Sequence, residues 1–196
     1  MALRTRVARG LEVLLEVFSG VLILTLTAIV IYAVLWRYLG GASPRWYDEV
    51  ASIMLVWLTY YAGALTALKR GHIGVDGVLM ALPIKVRMTA AIIAEAVVIG
   101  FFVVLAYAGL LVLQVLSGMS LVSLRWVPIT VTQSVIPIGA ALFIIAQLLS
   151  VPDYLAKIRA GVTREQEEID HALAEAEKIQ EENRQALAGE EEESRP

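Results

Sequence analysis

Four long apolar stretches, over residues 17–36, 50–68, 89–116 and 127–149, leave this chain of 196 residues few ways to fold. At 1.5 Å per residue the shortest of them reaches about 28 Å as a helix, close to the roughly 30 Å hydrocarbon core of a bilayer. Long apolar runs separated by clusters of charge are the signature of a polytopic helical membrane protein. The fold class is therefore all-α and integral to a membrane, with four transmembrane helices. The charged residues, 18% of the total, agree: they gather before residue 17, in the connections and after residue 152, with Glu95 the exception inside a span.

The first stretch follows Arg4, Arg6 and Arg9, as the core of a signal peptide would. At about 20 residues it is longer than such a core, and Trp36-Arg37-Tyr38 follows it in place of a small-residue cleavage site. It reads as a retained span with a basic lead-in at the interface. Lys and Arg set the expected orientation. With the N-terminus in the cytoplasm, that side holds Arg4, Arg6, Arg9, Lys69, Arg70, Lys85, Arg87, Lys157, Arg159 and Arg164, and the other holds Arg37, Arg45 and Arg125. Cytoplasmic connections carry such an excess, so both termini are expected to be cytoplasmic. Trp36, Tyr38, Trp46, Tyr47 and Trp126 then fall at the outer boundary, where amphipathic rings prefer to sit.

Composition divides the chain into a membrane domain, 1–162, and an acidic cytoplasmic tail, 163–196. In the connection 69–87, Val75, Val78, Leu79 and Leu82 share one helical face. The piece is too short to span and ends at Pro83, so a short interfacial amphipathic helix is expected over 75–82; an ordinary loop folded back on the bundle is the competing reading. In the tail, Thr163-Arg164-Glu165-Gln166 fits a capping box, and Ile169, Ala172, Ala176, Ile179, Asn183 and Ala186 recur by three and four. That stripe is mostly Ala, too weak for a stable coiled coil. A solvated, frayed helix is expected, with disorder at Glu190 to Glu193.

The chain contains no Cys, which excludes disulfides and thiolate-bound metals. His72 and His171 stand alone, without neighbours at metal-ligand spacing. No Gly-rich phosphate loop, Ser/His/Asp arrangement or carboxylate pair in a dry pocket can be read from the sequence. No catalysis, cofactor or nucleic-acid partner is expected. A polar group within a span costs a few kcal/mol unless paired. Glu95, about two turns into the third span, is expected to snorkel to the interface or meet Arg87 or Lys85, rather than act as a buried partner or ion ligand. Gln114, Thr130, Thr132, Gln133 and Ser134 are expected to bond between helices. Pro137 frees the Gln133 carbonyl and predicts a kink in the fourth span. The spans do not divide into two similar halves, as those of a self-contained transporter commonly do, so this chain is not expected to move a solute alone.

Arg37-Tyr38, Trp46-Tyr47-Asp48-Glu49-Val50, Val56-Trp57, Gly63-Ala64, Lys69-Arg70-Gly71-His72-Ile73-Gly74-Val75-Asp76 and Leu82-Pro83, with Pro128 and Ile136-Pro137-Ile138-Gly139 later, carry a family resemblance. They resemble the small permease family of TRAP transporters, the tripartite ATP-independent periplasmic transporters of bacteria and archaea. The resemblance runs over residues 13–149 and omits the tail. It implies a division of labour. A periplasmic solute-binding protein captures an organic acid, a large permease moves it inward on a sodium gradient, and the small subunit is a fixed scaffold in the inner membrane. Sodium is expected on the large permease and not on this chain. The partners implied are the large permease, the binding protein and membrane lipids. The competing reading is a stand-alone membrane scaffold or regulator with the acidic tail as its docking element.

Residue roles follow as expectations. Gly63, Ala64, Gly100, Gly109 and Gly139 would supply the close approach needed at an interface with the large permease. Ser43, Arg45, Trp46, Asp48, Ser120 and Arg125 would face outward and meet the binding protein. Arg37, Glu49, Arg70, His72 and Asp76 are the family-motif positions expected to be structural. Among them Arg37 and Glu49 would pair and set the angle between the first two spans.

Overall fold

The computed structural model describes residues 2–42, 44–70, 82–161, 169, 172–180 and 184. The named elements among them are all α-helices: α1 (Ala2–Gly40), α2 (Tyr47–Leu68), α3 (Ile84–Val115), the short α4 (Ile129–Gln133) and α5 (Val135–Ala160). Arg4–Gly40, Tyr47–Leu68, Ile84–Val115 and Ile129–Ala160 are each long and apolar enough to cross a membrane. The expected all-α, four-span class is thus observed. The interfacial helix expected over 75–82 lies outside the described residues except for Leu82, as do His72, Asp76 and most of the tail.

The basic lead-in is not a separate interfacial piece. It continues into the first span as one helix of 39 residues, because its Ala, Leu, Arg and Glu are good helix formers and only Gly10 interrupts them. The chain divides into two compact units, Met1–Ile73 with Ile92–Tyr154, and Gly74–Ala91 with Leu155–Pro196.

In the first unit, α1 buries a narrow stripe, Leu15, Leu22 and Ala33. The spacings of seven and eleven return to the same helical face at 3.6 residues per turn. The rest of α1 exposes large apolar side chains such as Leu24 and Ile31, as a helix surrounded by lipid does. Leu15 meets Ala64 and Ala67 of α2 and Phe143 and Ala146 of α5 in one core cluster. Three of those five are alanines. Helices in a bilayer gain little from hiding apolar surface and associate through close backbone contact, which small side chains permit. Phe18 packs on Tyr61 at 4.5 Å between ring centroids, joining α1 to α2, and Phe102 stacks on Phe143 at 3.6 Å, joining α3 to α5.

The fourth span is central. It is 44% buried over its most apolar window, against 11% or less for the other three. Ala140, Phe143, Gln147 and Ser150 line its buried face. The interruption predicted from Pro137 falls at Ser134, between α4 and α5. Pro137 itself occupies the first turn of α5, where its missing N–H costs nothing. Pro152 lies inside α5 without ending it. The helix therefore runs eleven residues beyond the expected limit of 149, to Ala160.

The connection from α3 to α4 folds on itself. Leu121 N–H bonds the Val127 carbonyl and Ile129 N–H the Met119 carbonyl, each at 3.0 Å. Gly118 supplies the left-handed residue at its start, with φ 84°. Within the second unit, Gly161 adopts φ 77° and bonds the Lys157 carbonyl at 3.0 Å, a glycine stop for α5. Residues 172–180 are helical and exposed throughout.

Candidate functional site

Charged residues flank helix α2 at its two ends, Asp48 and Glu49 at one and Lys69 and Arg70 at the other, and each end is clasped. At the Leu68 end, Lys69 caps the helix through its N–H to the Leu65 carbonyl, and Arg70 turns away with φ 53°. Helices commonly stop on a left-handed residue, usually Gly; an Arg there costs about 1 kcal/mol. The turn aims the guanidinium back at the bundle. Its Nη1 donates to Glu95 Oε1 of α3. Its Nε donates to Ser150 Oγ of α5 at 2.8 Å, and its face covers the Tyr154 ring at 4.4 Å. Gln147 Nε2 donates to the other Glu95 oxygen at 2.7 Å. The Ser150 hydroxyl lies 3.0 Å from the Gln147 carbonyl and 3.2 Å from that of Ala67, in the last turn of α2.

Glu95 is 9% exposed. It does not snorkel to the interface: its two oxygens accept from Arg70 and Gln147. The expected interfacial role is corrected to that of a buried partner, because Arg70 and Gln147 converge on both of its oxygens. The cluster leaves neither Glu95 oxygen without a donor, and such further hydrogen bonds help offset the desolvation of a buried ion pair. Beside it, exposed Lys69 bridges Glu16 and Glu12 of α1, the latter at 3.3 Å. The bonds to Glu16 and then Glu12 hold the Lys69 ammonium pKa above its ordinary value. Arg4 pairs with Asp153, tying α1 to α5.

At the Tyr47 end, Glu49 accepts the backbone N–H groups of Val122, at 3.0 Å, and Ser123, at 2.8 Å. Ser123 Oγ donates to the Arg45 carbonyl at 3.1 Å. The expected Arg37–Glu49 pair does not form. Two amides of the α3–α4 loop occupy the carboxylate, while Arg37 lies over the ring of Tyr38. Further along α2, Trp57 Nε1 donates to the Thr132 carbonyl at 2.8 Å, beside the interruption between α4 and α5. Thr132 and Ser134 were expected to bond between helices. Their hydroxyls instead donate within their own turn, to the Ile129 and Val131 carbonyls at 2.9 and 2.7 Å, a local bond always within reach of these residues.

The five small residues expected at a partner interface separate. A Cβ on Gly139 would lie 2.7 Å from Tyr60 of α2, and one on Gly109 would lie 2.9 Å from Ile136 and Pro137. Ala64 is fully buried in the core cluster. These three are spent on packing within the chain. Gly63 and Gly100 have open space where a side chain would extend. Arg45, Asp48, Ser120 and Arg125 are exposed, Trp46 stacks on Tyr32, and Ser43 lies outside the described residues.

Sequence reasoning passed over Gln147, Ser150 and Tyr154. Their spacing of three and four was the available signal: polar and aromatic groups recurring on one face of an otherwise apolar helix. Among the described residues no group of three or more His, Asp or Glu is placed to hold a metal ion.

A protein of this kind, with four spans and polar side chains turned inward to clasp its own helices, belongs to the helical membrane proteins. Residues 26–154 match the family described as Tripartite ATP-independent periplasmic transporters, DctQ component. The match covers about two-thirds of the chain and both clasps, so the chain belongs to this family, the small membrane component of tripartite transporters. It is a family of transporter components, not of enzymes. No curated protein matches the chain.

Proposed function

We propose that this chain is the fixed scaffold of a sodium-driven, binding-protein-dependent importer of organic acids. It stands beside a large permease in the inner membrane of a bacterium or archaeon, with both termini in the cytoplasm. The large permease carries the solute and sodium sites, and a periplasmic binding protein delivers the acid. The observation that carries the reading is the double clasp of α2. A helix held at one end by Arg70–Glu95 and at the other by Glu49 resists sliding and rotation, which suits a support against which another subunit moves. Gly63 and Gly100 are the small residues still open for contact with that subunit.

Co-purification tests the reading. Tagged chain extracted in mild detergent is expected to bring a large permease in equal amount. Proteoliposomes holding both are expected to accumulate an organic acid only with binding protein and an inward sodium gradient. Recovery of this chain alone, stable and monodisperse, would instead favour a stand-alone scaffold. Accumulation without sodium would remove the coupling ion from the proposal and leave the subunit role.

A further inference from the structure

The loop between α3 and α4 presents side chains that the bundle does not use. Val122 is 86% exposed and Trp126 81%. Arg125, beside Trp126, is exposed, and so is Arg45 in the turn before α2. Neither arginine is in an ion pair among the described residues, whereas Lys69, Arg70 and Arg4 each have a carboxylate partner. The two arginines lie on segments that touch, because Ser123 Oγ bonds the Arg45 carbonyl. Of the carboxylates in that turn, Glu49 is engaged by two backbone amides and Asp48 is exposed.

Depth decides what such a surface meets. The N–H groups of Val122 and Ser123 are bonded to Glu49, a residue in the first turn of a membrane-crossing helix. The loop is therefore drawn down to the end of the span and does not stand out as an arm. At that level a bilayer offers acyl carbons below and phosphates above, the environment in which tryptophan collects. The planar guanidinium matches the oxygens of a phosphate with paired hydrogen bonds. A water-facing dock for an acidic protein would also use arginines, but it would leave an almost fully exposed Val and Trp at bilayer depth without a role.

We propose that Arg45 and Arg125 form a binding surface for the phosphate of an anionic phospholipid, with Trp126 and Val122 seated among the uppermost acyl carbons. The surface is independent of whether the chain works beside a permease, so its test can fail while that reading stands.

The test uses the full chain in nanodiscs containing phosphatidylcholine and phosphatidylglycerol, with bromine placed near the headgroup on one lipid or the other at equal mole fraction. The Trp126 signal is the difference between the chain and its Trp126→Phe variant. Brominated phosphatidylglycerol is expected to quench that signal about two- to fivefold more than brominated phosphatidylcholine, the enrichment that one or two interfacial arginines provide. In Arg45→Gln/Arg125→Gln, and in part in Arg125→Gln alone, the preference is expected to fall towards one, with helix content unchanged by circular dichroism. Equal quenching by both lipids in the unaltered chain would overturn the anionic-lipid surface. Quenching by aqueous iodide and by neither lipid would overturn it as well, leaving the loop to a protein partner.

Discussion

Arg70 closes α2 in a left-handed conformation and donates to Glu95 of α3, so one contact joins a strained backbone residue to a carboxylate buried in the bundle. Either residue alone would be a liability. Together with Gln147 and Ser150 they join the end of α2 to α3 and α5 at one point.

Removing one partner leaves the other charge buried. Glu95→Gln is expected to lower stability by about 3 kcal/mol, read as a lower midpoint of thermal unfolding in detergent. The double variant Arg70→Gln/Glu95→Gln should regain more than half of that loss, because no unpaired charge remains. An unfolding midpoint for Glu95→Gln equal to the parent's would show that the pair carries no weight.

The glycines divide by what surrounds them. Gly139→Ala places a methyl 2.7 Å from Tyr60 and is expected to cost about 1–3 kcal/mol through overpacking between α2 and α5. Gly63→Ala meets nothing within 4 Å and should change the chain's own stability by less than about 0.5 kcal/mol. Gly63→Leu is expected to leave the isolated chain folded and to reduce recovery of the large permease. Equal effects of Gly139→Ala and Gly63→Ala on the unfolding midpoint would contradict the close approach of α2 and α5.

Glu49 holds the α3–α4 loop through two amides. In Glu49→Ala the Val122 and Ser123 N–H groups should exchange with solvent deuterium at least about tenfold faster, since a charge-assisted hydrogen bond contributes about 1.5–3 kcal/mol. Amides in the middle of α2 should keep their protection. Unchanged exchange at 122 and 123 would mean that the loop is held by its own backbone bonds alone.

Lys69 makes an alkaline prediction. Its pKa in the folded chain lies above the ordinary 10.5 because Glu16, then Glu12, bonds the ammonium. A raised pKa contributes stability that is fully present below the unfolded value and is lost as pH rises through the folded one. The stability difference between the chain and Lys69→Met should therefore be constant from neutral pH to about pH 10, and should shrink above it. A difference that already declines between neutrality and pH 10 would assign the α1–α2 tie to other groups.

Much of this protein is legible along the chain. Hydrocarbon leaves a backbone no partner but itself, so apolar runs of span length dictate four helices, and Pro137 dictates an interruption, whatever the helices later touch. The family motifs likewise mark Arg37, Glu49 and Arg70 as positions with a task. The tasks depend on packing. Glu49 has an Arg at a plausible distance in sequence, yet its partners are amides more than seventy residues away. Glu95 follows Lys85 and Arg87 along its own helix, but its bonds to Arg70, just past α2, and to Gln147 of α5 could not be read from that order. Gly109 and Gly139 look available to a partner subunit until α5 is found against the first and α2 against the second. Periodicity specifies which residues share a face of one helix. Which face meets which neighbour is set by contacts between residues remote in sequence, and for a polar group in a bilayer that choice separates a buried clasp from an interfacial charge.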